Sequence, residues 1–140
     1  MAKLIAETPN SGVGAMRRLL IITTLVEALF GLVLFLSPAI PVRLLFGAQI
    51  AGVGVVMSRI GGIALIALAI ACWPGLNMSS ASYAMATYNT LVAVCLAFVG
   101  FSGEAGILLW PATVFHLCVS ALLLGMLGKR QQLAGRPSQR

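Results

Sequence analysis

The run from Leu19 to Leu36 is apolar apart from two threonines, one glycine and a single charged residue, Glu27. Counted from Arg17, it reaches the length of about 20 residues that a helix needs to cross a bilayer. A carboxylate at that depth costs on the order of 3 kcal/mol or more, so it requires a partner, a proton or a purpose. Three more runs follow, Gly52–Trp73, Ser82–Phe101 and Ile107–Gly128. The four runs stop at Ser37-Pro38, Pro74-Gly75, Ser102-Gly103 and Lys129-Arg130, residue types that end helices. They are about twice as long as a barrel strand and do not alternate polar with apolar. The expected fold is therefore all-α, a four-helix transmembrane bundle.

Composition agrees. The 140 residues are 60% hydrophobic and 9% charged, with a mean hydropathy of +1.04. A soluble domain carries about a quarter charged residues. The net charge of +6 invites a nucleic-acid reading, but its placement argues against one. Of the nine basic residues, only Arg43 and Arg59 lie away from the tails. Lys3, Arg17 and Arg18 precede the first run, and Lys129, Arg130, Arg136 and Arg140 follow the last. Such residues set orientation and meet anionic headgroups. Four spans put both tails on one side, so both termini are expected to be cytoplasmic, in a bacterial inner membrane.

Three regions are expected: a lead over 1–16, the transmembrane domain over 17–128 and a basic tail over 129–140. The first run is too long for a signal peptide and is not followed by an Ala-x-Ala site. The segment Pro38 to Val53 is too short to span. Its Pro38, Pro41 and Val42-Arg43-Leu44-Leu45-Phe46 suit a short helix in the outer interface, with Arg43 among headgroups. An irregular apolar loop is the alternative.

Depth follows from the rise of about 1.5 Å per residue. Glu27, Arg59 and His116 are expected in the outer half of the membrane on three helices, with Tyr88 and Asn89 beneath them. Thr23, Thr24, Glu27 and Gly31 share a face at helical spacing, as do Thr113, His116 and Ser120. Small and polar residues gather at helix contacts in lipid. Glu27 is expected to meet Arg59, because pairing offsets part of the burial cost. Two readings stay open for Glu27, Arg59, Tyr88, Asn89 and His116: a network that fixes register, or a ligand or proton site.

Other chemistry finds little support. Cys72, Cys95 and Cys118 are isolated, with no Cys-x-x-Cys, and read as small apolar core residues. One histidine cannot give bis-His haem ligation within one chain. Metal centres need more ligands than are present. Gly52-x-Gly54 and Gly61-Gly62 read as packing positions. Trp73-Pro74 and Trp110-Pro111 mark the interfaces. No cofactor is named by any motif, and no complete catalytic set is visible.

Several segments together resemble the DoxX-like membrane proteins of bacteria. They are Val26-Glu27-Ala-Leu-Phe-Gly31, Arg59-Ile-Gly-Gly-Ile-Ala-Leu65, Cys72-Trp-Pro-Gly75, Tyr88-Asn89 and Leu109-Trp-Pro-Ala112 with His116. The likeness covers most of residues 17–128. It implies an accessory or structural subunit of a larger membrane complex, redox complexes included, and carries no catalytic residue with it. The expected partners are lipid and other membrane subunits or further copies of the chain, not nucleic acid. The alternative is binding or transport of a small amphipathic molecule such as a quinone, or of protons, through the polar centre. Small multidrug resistance transporters also place a glutamate in the first of four helices. This chain departs from them at Arg59 and in its long first connection. A reporter fused after Arg140 should give a cytoplasmic signal, and a periplasmic signal would overturn the orientation.

Overall fold

A computed structural model describes residues 9–75, 77–103 and 105–134. Residues 1–8, Leu76, Glu104 and the tail from 135 lie outside the described residues. So do the first half of the expected lead, with Lys3, and Arg136 and Arg140 of the tail. The described residues form five helices and no strand: α1 (Pro9–Leu36), α2 (Ala39–Phe46), α3 (Val53–Ala71), α4 (Met78–Phe101) and α5 (Leu109–Ala134). All but α2 are long and apolar enough to cross a membrane. The chain is thus an all-α, four-helix transmembrane bundle with a short extra helix.

Three of the long helices overrun their apolar spans, and α3 falls slightly short of its own. α1 begins at Pro9 rather than near Arg17, and α5 runs past Lys129-Arg130 to Ala134. Once a helix is nucleated, each added residue brings one hydrogen bond. Nothing between Pro9 and Arg17 stops it. α4 begins at Met78, ahead of the expected Ser82, because Asn77 Oδ1 accepts from the Ser80 amide at 3.4 Å and caps it. The segment after α1 does contain a helix, α2. It ends at Gly47, whose φ of 67° is the left-handed conformation that closes helices, and its amide donates to the Arg43 carbonyl.

Two close pairs make up the bundle, α1 on α3 and α4 on α5. The first pair is a backbone-to-backbone approach at Gly31 and Gly62. A Cβ on Gly62 would lie 2.5 Å from the Gly31 carbonyl oxygen, and one on Gly31 would lie 2.7 Å from that of Gly62. Lipid tails are as apolar as leucine, so close packing takes the place of the hydrophobic effect here. The second pair buries Ala86 and Ala93, and the Thr90 and Ser120 hydroxyls bond across it. Gln131 Nε2 donates to the Tyr83 hydroxyl at 2.8 Å.

The two pairs meet at both ends and separate between them. At the end carrying Pro9 and Ala134, Met16 and Leu20 pack with Cys72, Met85, Val119, Leu123 and Leu127. At the other end, the Gly106 amide donates to the Leu45 carbonyl at 2.8 Å and the Leu108 amide to the Leu44 carbonyl at 2.9 Å. Only glycine fits at 106, since a Cβ there would strike the Leu44 carbonyl. α2 is thereby stitched to the start of α5, and a cavity is left in the middle.

Replacing Gly62 with Ala should force α1 and α3 apart and cost about 1–3 kcal/mol, the usual range for overpacking. Gly125→Ala, where an added Cβ meets nothing within 4 Å, should be neutral or slightly stabilising. Denaturation in mixed micelles checks both. Equal effects at the two sites would refute the close-approach account.

Candidate functional site

The cavity is bordered by α1, α2, α4 and α5. Glu27 comes from α1, Tyr88 from α4 and His116 from α5. Phe30 and Phe115 join them with Leu45 of α2, in a space of about 180 Å³. Glu27 is 2% exposed. The Tyr88 hydroxyl donates to Glu27 Oε2 at 2.9 Å, and this bond joins α4 to α1. The other carboxylate oxygen, Oε1, is buried and has no hydrogen-bond partner among the described residues.

Asn89 fixes the imidazole. It is fully buried, and its Nδ2 donates to the Met85 carbonyl at 2.8 Å. That leaves Asn89 Oδ1 as an acceptor facing His116 Nδ1 at 2.7 Å. Nδ1 therefore carries the proton and donates to it. In a neutral ring Nε2 is then an acceptor, and it makes no hydrogen bond among the described residues. His116 Nδ1 lies 3.9 Å from Glu27 Oε1, but its hydrogen is committed to Asn89. Edge-on contacts with Tyr88, at 5.9 Å between centroids, and with Phe115, at 5.5 Å, hold the ring between them.

The hydroxyls near the cluster are already occupied. Thr23 and Thr24 donate to carbonyls of their own helix at Leu19, Leu20 and Ile21, and Thr113 donates to Leu109. Among the described residues, the polar lining atoms that make no hydrogen bond are thus Glu27 Oε1 and His116 Nε2.

Arg59 is not part of the site. Its side chain is exposed, and no ion pair with Glu27 forms among the described residues. The reason is the order of the helices. α3 lies against α1 through Gly62, Leu65 and Ile66, whereas Glu27 faces α4 and α5. An arginine on the outer flank of a helix can carry its guanidinium along its own stem toward headgroups. The expected contact between Glu27 and Arg59 is corrected accordingly.

Tyr88 and Asn89 do not lie beneath the other groups but level with them. The helix starts about four residues earlier than the apolar run suggests, and this sets Tyr88 roughly 15 Å from its start, counted at 1.5 Å per residue. Sequence reasoning missed Phe30, Leu45 and Phe115 as site residues. The available signal was proximity, Phe30 one turn beyond Glu27 and Phe115 beside His116. Among the cysteines, Cys72 is buried, but Cys95 and Cys118 are exposed on outer helix faces rather than in the core.

Comparison with family models, with curated proteins and with solved structures finds no match to this chain. The class of protein rests on its own helices: four of them long and apolar enough to span, which makes it a multi-pass membrane protein in contact with lipid.

Tyr88→Phe should destabilise the fold by about 1.5–3 kcal/mol, because it leaves a buried carboxylate without its donor. The double variant Glu27→Leu, Tyr88→Phe should recover most of that loss, since removing both partners is close to neutral. Detergent unfolding of the single and double variants checks the cycle. A double variant as unstable as Tyr88→Phe would show that the bond is not what joins α1 to α4.

Proposed function

We propose that this is a protein of the bacterial cytoplasmic membrane, with both termini inside, that binds a small amphipathic molecule in the Glu27–Tyr88–His116 cavity. The observation that carries this reading is the unpartnered Oε1 of Glu27. A network that served only to fix register would satisfy both carboxylate oxygens. Leaving one of them bare costs about 1–3 kcal/mol, more for a charged group. Glu27 itself lines the cavity, beside Tyr88 and His116. An apolar, aromatic-lined space with a few convergent polar groups has the make-up of small-molecule sites. Such sites often sit where stability is given up for function.

A second reading is favoured by α3. It packs on α1 and leaves Val56, Met57, Ile60, Ile63 and Ile70 exposed. That face suits another helix as well as lipid, in line with the accessory subunit that the DoxX-like resemblance implies, redox complexes included.

Protein purified from membranes in mild detergent, then extracted for mass spectrometry, separates the two readings. The wild type should carry a near-stoichiometric small molecule, reduced at least tenfold in Glu27→Gln. Identical extracts from both proteins would overturn the ligand reading. A stoichiometric protein partner with no small molecule would favour the subunit reading.

A further inference from the structure

An apolar groove of about 370 Å³ lies beside the cavity, between α1 and α2. It shares Val26, Phe30 and Leu45 with the cavity and continues over Val33, Ile40 and Leu44. All of its lining side chains are apolar, and Ile40 and Leu44 are themselves exposed at its edge. The polar site and the groove are therefore neighbouring compartments with one shared wall, one able to hold a head and the other a tail. From the shared wall, Ile40 and Leu44 lead to the open side of the bundle, where lipid lies.

The chemistry of the head follows from a count of donors and acceptors. The Tyr88 hydrogen is held by Glu27 Oε2. The Asn89 amide is held by the Met85 carbonyl, and the Nδ1 hydrogen of His116 by Asn89 Oδ1. With an ionised carboxylate and a neutral imidazole, the lining polar atoms that make no bond among the described residues are two acceptors, Glu27 Oε1 and His116 Nε2. In that state no hydrogen of Glu27, Tyr88 or His116 is free, and Asn89, whose amide keeps a second hydrogen, does not line the cavity. A ligand that satisfies this site must bring the hydrogen itself.

We propose that the site takes a single-tailed amphiphile whose head carries a hydroxyl donor, with the head at Glu27 and His116 and the tail in the groove between α1 and α2. This rests on the ligand reading of the cavity and names its class. A tail leaving lipid for an apolar groove gains little, because both surroundings are equally apolar. The groove supplies room and a lateral way in. Selectivity comes from the head, where a site built to bond a hydroxyl discriminates strongly against an analogue without one.

The chain has a single histidine, so its imidazole resonances report on the site without overlap. Full-length protein in phosphatidylcholine nanodiscs is titrated with three probes: para-cresol, para-decylphenol and para-decylanisole. The last of these keeps the tail and loses the donor. Both phenols should shift the His116 signals saturably, and para-decylanisole should bind at least tenfold more weakly at equal membrane concentration. Leu44→Trp, which fills the groove but not the cavity, should weaken para-decylphenol at least tenfold and leave para-cresol within twofold. Equal binding of the anisole would overturn the donor head. An unchanged response of Leu44→Trp to para-decylphenol would overturn the tail compartment, as would an equal loss of para-cresol. If none of the probes moves His116 in the wild type, both this inference and the ligand reading beneath it fail.

Discussion

The hydrogen bond from Tyr88 to Glu27 Oε2 is where the two halves of this bundle recognise each other across the membrane interior. Lipid tails are as apolar as the helices they surround, so no hydrophobic force pushes one apolar helix onto another. Each association needs its own physical reason. For α1 and α3 it is the removal of side chains at Gly31 and Gly62, which brings the backbones together. For α4 and α5 it is small residues with the Thr90–Ser120 contact. Between the pairs it is one phenol on one carboxylate, flanked by packing at the Met16 end and backbone bonds at the α2 end. A middle held by a bond, not by packing, is free to stay open.

This arrangement explains what could be read from the residues and what could not. Length and composition were enough for four spans, because lipid permits few alternatives to a helix. Small and polar residues on shared faces pointed to buried positions, and Thr23, Thr24, Thr113 and Ser120 are buried. The partner of Glu27 was not legible. Cost alone nominated Arg59 as the nearest opposite charge, but cost does not say which side of α1 a neighbouring helix will occupy. That is decided by glycines whose contacts involve tertiary geometry. Tyr88 was singled out but set too deep, for a simpler reason: hydropathy finds the apolar part of a helix, and α4 starts before it, at an Asn77 cap.

The threonines narrow the chemistry further. A hydroxyl in an apolar helix bonds most readily to the carbonyl one turn back, and this is what Thr23, Thr24 and Thr113 do. They are polar in sequence and silent in the site. Asn89 acts differently. By giving its amide to Met85 it turns its carbonyl toward the imidazole and sets which ring nitrogen holds the hydrogen. It never needs to touch a ligand to decide what a ligand must be.

The absence of Arg59 from the cluster changes the character of Glu27. Paired with a permanent cation, the carboxylate would be locked, and any ligand would have to compete with a neighbouring guanidinium. With only a phenol on one oxygen, its second oxygen is contested by whatever can supply a hydrogen: a proton, a water or a ligand hydroxyl. Those three differ in what else they need. A proton needs nothing, and a water would bond to Glu27 Oε1 and His116 Nε2 but make no use of the walls formed by Phe30, Leu45 and Phe115. A hydroxyl on an apolar body needs those same walls. Of the occupants that a lipid-embedded acceptor can attract, that one uses both the polar atoms and the apolar lining of this cavity.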